Sequence, residues 1–154
     1  MRLRITGLPA ADFAPLFDLS DAELAARGAL RVVADAPHAY PCRVSLTDAA
    51  PGDALLLVNY EHQPAATPYR SCHAVYVRQG ETTFDAVGEV PDQLRRRILS
   101  LRAFDADGML LGADLADGPA LEAAAERLLA LPGAAYLHAH FAKPGCYAAR
   151  IERA

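Results

Sequence analysis

The chain has 154 residues, a formal net charge of −4, 53% hydrophobic residues and no tryptophan. That length fits one domain over residues 1–154, with a core large enough to need no covalent staples. The longest block of like charge is Arg95-Arg96-Arg97, too little for a nucleic-acid footprint, and the longest apolar run, Ala54 to Val58, is far short of the ~20 residues of a membrane helix.

In chain order, Met1–Leu8 alternates basic with apolar or small residues and predicts a strand. Pro9 opens a helical stretch through Phe17. Ser20 and Glu23 have the spacing of a capping box, and Gly28 is a natural stop for the short helix that follows. Leu30–Ala34 predicts a strand and Pro37–Pro41 an extended loop. Cys42–Leu46 predicts another strand, and Asp48 to Asp53 a Pro-Gly turn. Leu55–Tyr60 reads as a central strand and Glu61–Arg70 as a loop. His73–Arg78 is a strand ended by Gln79-Gly80-Glu81. Arg97–Phe104 and Met109–Leu115 form a hairpin around Asp105-Ala106-Asp107-Gly108. Asp117 and Pro119 open a helix whose stripe is Leu121, Ala124, Ala125, Leu128 and Leu129, ended by Pro132-Gly133. Strands outnumber helices, and their connections are too short for parallel crossovers. The fold class is α+β: a mainly antiparallel sheet with two or three helices packed against it.

The last two strands carry the richest chemistry. Leu137, Ala139 and Phe141 alternate on one side, as do Tyr147, Ala149 and Ile151. Pairing Phe141 with Tyr147, Ala139 with Ala149 and Leu137 with Ile151 puts both rows on one face, around the loop Lys143-Pro144-Gly145. His138 then faces Arg150, Tyr136 faces Glu152, and His140 faces Ala148. The opposite face holds Tyr136, His138, His140, Cys146 and Arg150. Residues i and i+2 of a strand share a face, so the two imidazoles stand side by side.

Three chemistries fit such a face. His138 and His140 could supply two ligands to a metal ion. Tyr136, His138, His140 and Arg150 could bind an anion. Either histidine could act as a catalytic acid or base, since imidazole titrates near neutrality. Arg150 opposite His138 favours an anion over a metal. The plain alternative is a polar sheet face with satisfied histidines. Either His73 or His62 is expected to reach in from another segment. A free loop histidine is the simpler role for His62.

Cys42, Cys72 and Cys146 are odd in number and widely spaced, which predicts free thiols and a cytoplasmic setting. The N-terminus lacks the apolar run of a signal peptide. Cys72 and His73 are neighbours on a strand and face opposite ways, so they form no catalytic pair; Cys72 is expected to be a buried, inert thiol. Arg70 is expected in a surface ion pair. Asp105 to Gly108 lacks the remaining ligands of a calcium loop and is a turn. No phosphate loop, dinucleotide fingerprint, nucleophile elbow or His-Glu-x-x-His motif occurs.

Several blocks resemble one bacterial family. They are Tyr40-Pro41-Cys42-Arg43, Pro51-Gly52, Pro68-Tyr69-Arg70, Leu99-Ser100-Leu101-Arg102-Ala103-Phe104 and Asp117-Gly118. Ala135-Tyr136-Leu137-His138-Ala139-His140 and Gly145-Cys146-Tyr147-Ala148-Ala149-Arg150 are the most specific. The chain resembles domain-of-unknown-function family 1203 over nearly its whole length. That resemblance implies a bacterial single-domain protein and no catalytic role for any residue.

The resemblance implies a bacterial source, and the sequence itself points to a cytoplasmic protein with a site near the C-terminal hairpin for a small anionic ligand or a metal ion. The rival class is a non-enzymatic interaction module that uses an exposed sheet face or edge. The sequence leaves the cofactor unknown, and a homodimer is left open.

Overall fold

The computed structural model describes residues 1–154. Its strands are β1 (Leu3–Thr6), β2 (Ala29–Val33), β3 (Ala54–Gln63), β4 (Ser71–Arg78), β5 (Asp85–Val87), β6 (Ile98–Phe104), β7 (Leu110–Asp117), β8 (Tyr136–Phe141) and β9 (Tyr147–Arg153). Six of them form one sheet in the order β5-β1-β9-β8-β6-β7, and three form a second in the order β2-β3-β4. Every neighbouring pair within the sheets is antiparallel. The helices are α1 (Asp21–Ala25), α2 (Asp92–Arg95) and α3 (Leu121–Leu129). The α+β class holds, with two sheets where the sequence suggested one.

The strand β8 explains the layering. All six of its residues are buried. A strand buried throughout must be covered on both faces. Leu137, Ala139 and Phe141 join α3 in the larger core, where Leu121, Ala124, Ala125, Leu128 and Leu129 form the predicted helical stripe. The other face meets the small sheet, which presents Leu56, Val58, Val75 and Val77 to a second core.

Local chemistry sets several element ends. The capping box forms at Ser20: its side chain accepts from the Glu23 amide, and the Glu23 carboxylate accepts from the Ser20 amide. Gly28 follows with φ 67°, the left-handed conformation that releases a helix. The Asp105 carboxylate accepts from the amides of Asp107 and Met109 and holds the predicted turn.

Other expectations need correction. Pro9–Phe17 forms two short 3-10 segments, Ala10–Asp12 and Ala14–Asp18, rather than one helix. Cys42–Leu46 is no strand: the segment makes isolated bridges, Pro41 to Asp48 and Cys42 to Tyr76, with Leu46 at φ 54°. The strand β3 continues through Gln63 instead of ending at Tyr60. The Asp117 side chain caps nothing, because a 3-10 turn, Gly118–Ala120, precedes α3. The short elements β5 and α2 lay below the reach of periodicity.

Gly118 marks a close approach. A Cβ there would lie 2.2 Å from the Arg95 carbonyl oxygen and 2.4 Å from its carbon. Backbone cannot yield as a flexible side chain can. Gly118→Ala should therefore cost about 1–3 kcal/mol in urea unfolding. A cost below about 0.5 kcal/mol would show that α2 and the start of α3 are free to separate.

Candidate functional site

The site is built by alternation on three strands. On β8, Tyr136, His138 and His140 face the small sheet, while Leu137, Ala139 and Phe141 face α3. On β3, Leu56, Val58, Tyr60 and His62 follow one another at every second position. On β4, His73, Val75 and Val77 do the same. Tyr60 lies opposite His73 in the ladder. Both runs point at the large sheet.

Two bulges refine this pattern. In the β3–β4 ladder Glu61 faces Cys72 and Gln63 faces Ser71, so His62 is the extra residue. His62 and Gln63 are then both buried. In the β8–β9 ladder Tyr136 faces Glu152, Leu137 faces Ile151, His138 faces Arg150 and Ala139 faces Ala149, as the sequence predicts. His140, however, pairs with Tyr147, and Ala148 is the extra residue. A bulge shifts strand parity by one. Tyr147 therefore leaves the predicted row beside Phe141 and joins the histidines. Cys146 leaves the histidine face and packs at the edge of the larger core.

Four histidines come together. His62 Nε2 and His73 Nδ1 lie 2.6 Å apart and share a hydrogen bond. The His62 ring stacks on Tyr147 at 4.6 Å between centroids. It lies 5.4 Å from His138 and 5.2 Å from His140, both edge-on. His62, His138 and His140 are buried, and each offers a ring nitrogen within 4.8 Å of the others'. His62 Nδ1, His138 Nδ1 and His140 Nε2 are buried without a hydrogen-bond partner. Such orphans in a protein interior call for a physical reason.

The remaining His140 bond defines its tautomer. Its Nδ1 lies 3.0 Å from the Gly145 carbonyl oxygen. A carbonyl only accepts, so Nδ1 carries the proton and Nε2 carries the lone pair. Burial, first among the causes, holds all three rings neutral. The His62 pKa falls to about 4, that of His138 to about 2 and that of His140 to about 3. The pKa of His73 is also lowered, by partial burial and then by Arg102 and Arg43.

The other expected residues take varied places. The Tyr136 hydroxyl accepts from Gln63 Nε2 at 2.9 Å, and its ring stacks on Phe104. Arg150 stands opposite His138, but its guanidinium lies over the Tyr136 ring at 3.9 Å and its Nε donates to Glu152. Cys42 is buried, whereas Cys72 is exposed, contrary to expectation, because its side of β4 is open to solvent. Arg70 pairs with Glu61, as expected.

Three contributors were not anticipated. Arg102 lies opposite His138 on β6, half-buried, with no carboxylate among the influences on its charge. Tyr147 arrives only through the bulge. Arg43 is 2% exposed and donates to the Tyr147 carbonyl, the Pro41 carbonyl and Cys146 Sγ. It joins the Tyr40–Arg43 and Gly145–Arg150 blocks in space.

A family model described as "Protein of unknown function (DUF1203)" matches residues 39–153. The chain belongs to the DUF1203 family. The match spans β3 through β9 and so includes every histidine of the cluster within the DUF1203 region. No curated protein and no solved structure matches the chain. No helix is long and apolar enough to cross a membrane.

Proposed function

We propose that this DUF1203 protein binds a divalent transition metal between its two sheets through His62, His138 and His140. One observation carries the reading: three buried imidazoles from facing sheets converge with partnerless nitrogens. Ligation requires neutral rings, and burial supplies them. The Gly145 carbonyl orients His140, as a carbonyl behind a ligand histidine commonly does. All-imidazole donors suit zinc, copper or nickel better than magnesium or calcium.

Arg150 weighed toward an anion in the sequence. Its pairing with Glu152 weakens that objection to a metal. The two readings also combine. Three nitrogen ligands leave a fourth position on zinc, and no carboxylate completes the set. With Arg102 beside it, an anion is the natural fourth ligand. Three free cysteines fit a reducing, cytoplasmic setting.

Zinc titrated into chelator-treated protein should bind one ion per chain, and cobalt should give the visible absorption of a low-coordinate site. His62→Ala, His138→Ala and His140→Ala should each weaken binding more than about 100-fold. Absence of one-to-one binding in calorimetry, or affinity unchanged in all three variants, would defeat the reading. The interaction-module reading draws on β7, an edge strand with Leu111 39% and Leu115 66% exposed. A concentration-dependent dimer lost in Leu115→Lys would favour it.

A further inference from the structure

A cleft of about 1120 Å³ opens beside the C-terminal hairpin turn and reaches the edge of the histidine cluster at His73. None of His62, His138 or His140 lines it, but His73 does. The cleft has an unusual charge balance. Arg43, Arg96, Arg97 and Lys143 line it, and no carboxylate does. Arg97 is ion-paired with Asp48 and Arg96 with Asp92, both just outside the cleft. Arg43 and Lys143 have no carboxylate partner. Two positive charges are left over.

Arg43 is the more telling of the two. A guanidinium stays charged in proteins, and burial makes that charge costly unless it is paired. Arg43 is buried, yet its partners are two carbonyl oxygens and the Cys146 sulfur. Its five N–H groups make three bonds, so donors remain. Phe141 braces it: the Arg43 and Arg97 guanidinium carbons lie 4.7 Å and 5.0 Å from that ring's centroid. A charge held rigidly at a cleft floor is preorganised for an anion.

The walls are apolar. Leu57, Tyr76, Ile98 and Pro144 line the cleft, and Ile98 is 56% exposed despite its size. Ligand sites typically combine such walls with a few fixed polar groups. We infer that this cleft is a second site, adjoining the metal centre at His73 but containing none of its three ligands, for a small phosphate monoester carrying an apolar body. The dianionic head answers the two unbalanced cations, and the body covers Ile98 and its neighbours.

The test uses the full chain with chelator present, so that metal plays no part and failure of the metal reading leaves this one untouched. Phenyl phosphate, inorganic phosphate and benzoate are titrated by calorimetry and by NMR. Phenyl phosphate should bind tightest, and its affinity should fall as salt rises. Lys143→Glu and Arg96→Glu, both at exposed positions, should weaken it about tenfold each. Arg127→Glu, on α3 and far from the cleft, should leave it unchanged. The inference is overturned if phenyl phosphate does not bind at millimolar concentration. Equal affinity for inorganic phosphate would remove the apolar body, and equal affinity for benzoate would remove the dianion. Unchanged binding in Lys143→Glu and Arg96→Glu would remove the site.

Discussion

Chelator-treated protein is expected to lose on the order of 5 kcal/mol of stability between pH 7 and pH 5. The cause is the buried histidine cluster. In the unfolded chain His62, His138 and His140 protonate near pH 6.5. In the folded chain they stay neutral until about pH 4, 2 and 3. Below pH 6.5 the unfolded state therefore binds more protons than the native state, and acid favours unfolding. The stability is fully present above pH 6.5 and is lost as pH falls toward the folded values. Each histidine contributes up to about 1.4 kcal/mol per pH unit in that window. His73 shifts in the same direction and adds to the slope. Urea unfolding at pH 7, 6 and 5 measures the effect, and His138→Gln should remove roughly a third of it. A flat profile would mean that the rings are solvated and that the cluster is not closed.

Leu129→Ala is expected to cost about 2–5 kcal/mol. Leu129 is 0% exposed and sits in the larger core with Leu121, Ala125 and the apolar face of β8. Truncation removes its transfer energy and leaves a cavity among neighbours fixed by two sheet ladders, so collapse is limited. Leu115→Ala serves as the contrast. That side chain is 66% exposed and should change stability by less than about 0.5 kcal/mol. Denaturant midpoints with unchanged slopes would confirm both. A small loss at Leu129 would break the packing of α3 on the sheet.

The legible parts of the fold were those governed by a strong local period or a turn residue. The α3 stripe, the Asp105–Gly108 hairpin and the Ser20 cap needed no tertiary information. The register from Tyr136 to Ala139 followed from keeping two apolar rows on one face. The missed parts depended on partners. Tyr147 and Cys146 exchange faces through one extra residue at Ala148, and nothing in the local sequence announces it. Cys42–Leu46 has a strand's composition but docks as a bridge on β4. His62 had a readable signal. Leu56, Val58, Tyr60 and His62 continue one alternation, and stopping the strand at Tyr60 hid it. Arg102 shares its alternation with Ser100, but only the β6–β8 register reveals that it faces His138.

The histidines come from both layers: His62 and His73 from the small sheet, His138 and His140 from the large one. No ladder of hydrogen bonds ties one sheet to the other. Side-chain packing holds the layers together, helped by the Gln63–Tyr136 hydrogen bond and by Arg43, whose amide donates to Tyr76 of the small sheet and whose guanidinium donates to Tyr147 of the large one. The four rings therefore act as a gauge of the spacing between the layers. A sub-ångström shear of one layer over the other alters the distances of His62 and His73 to His138 and His140, while the His62–His73 and His138–His140 spacings, each within one sheet, stay fixed.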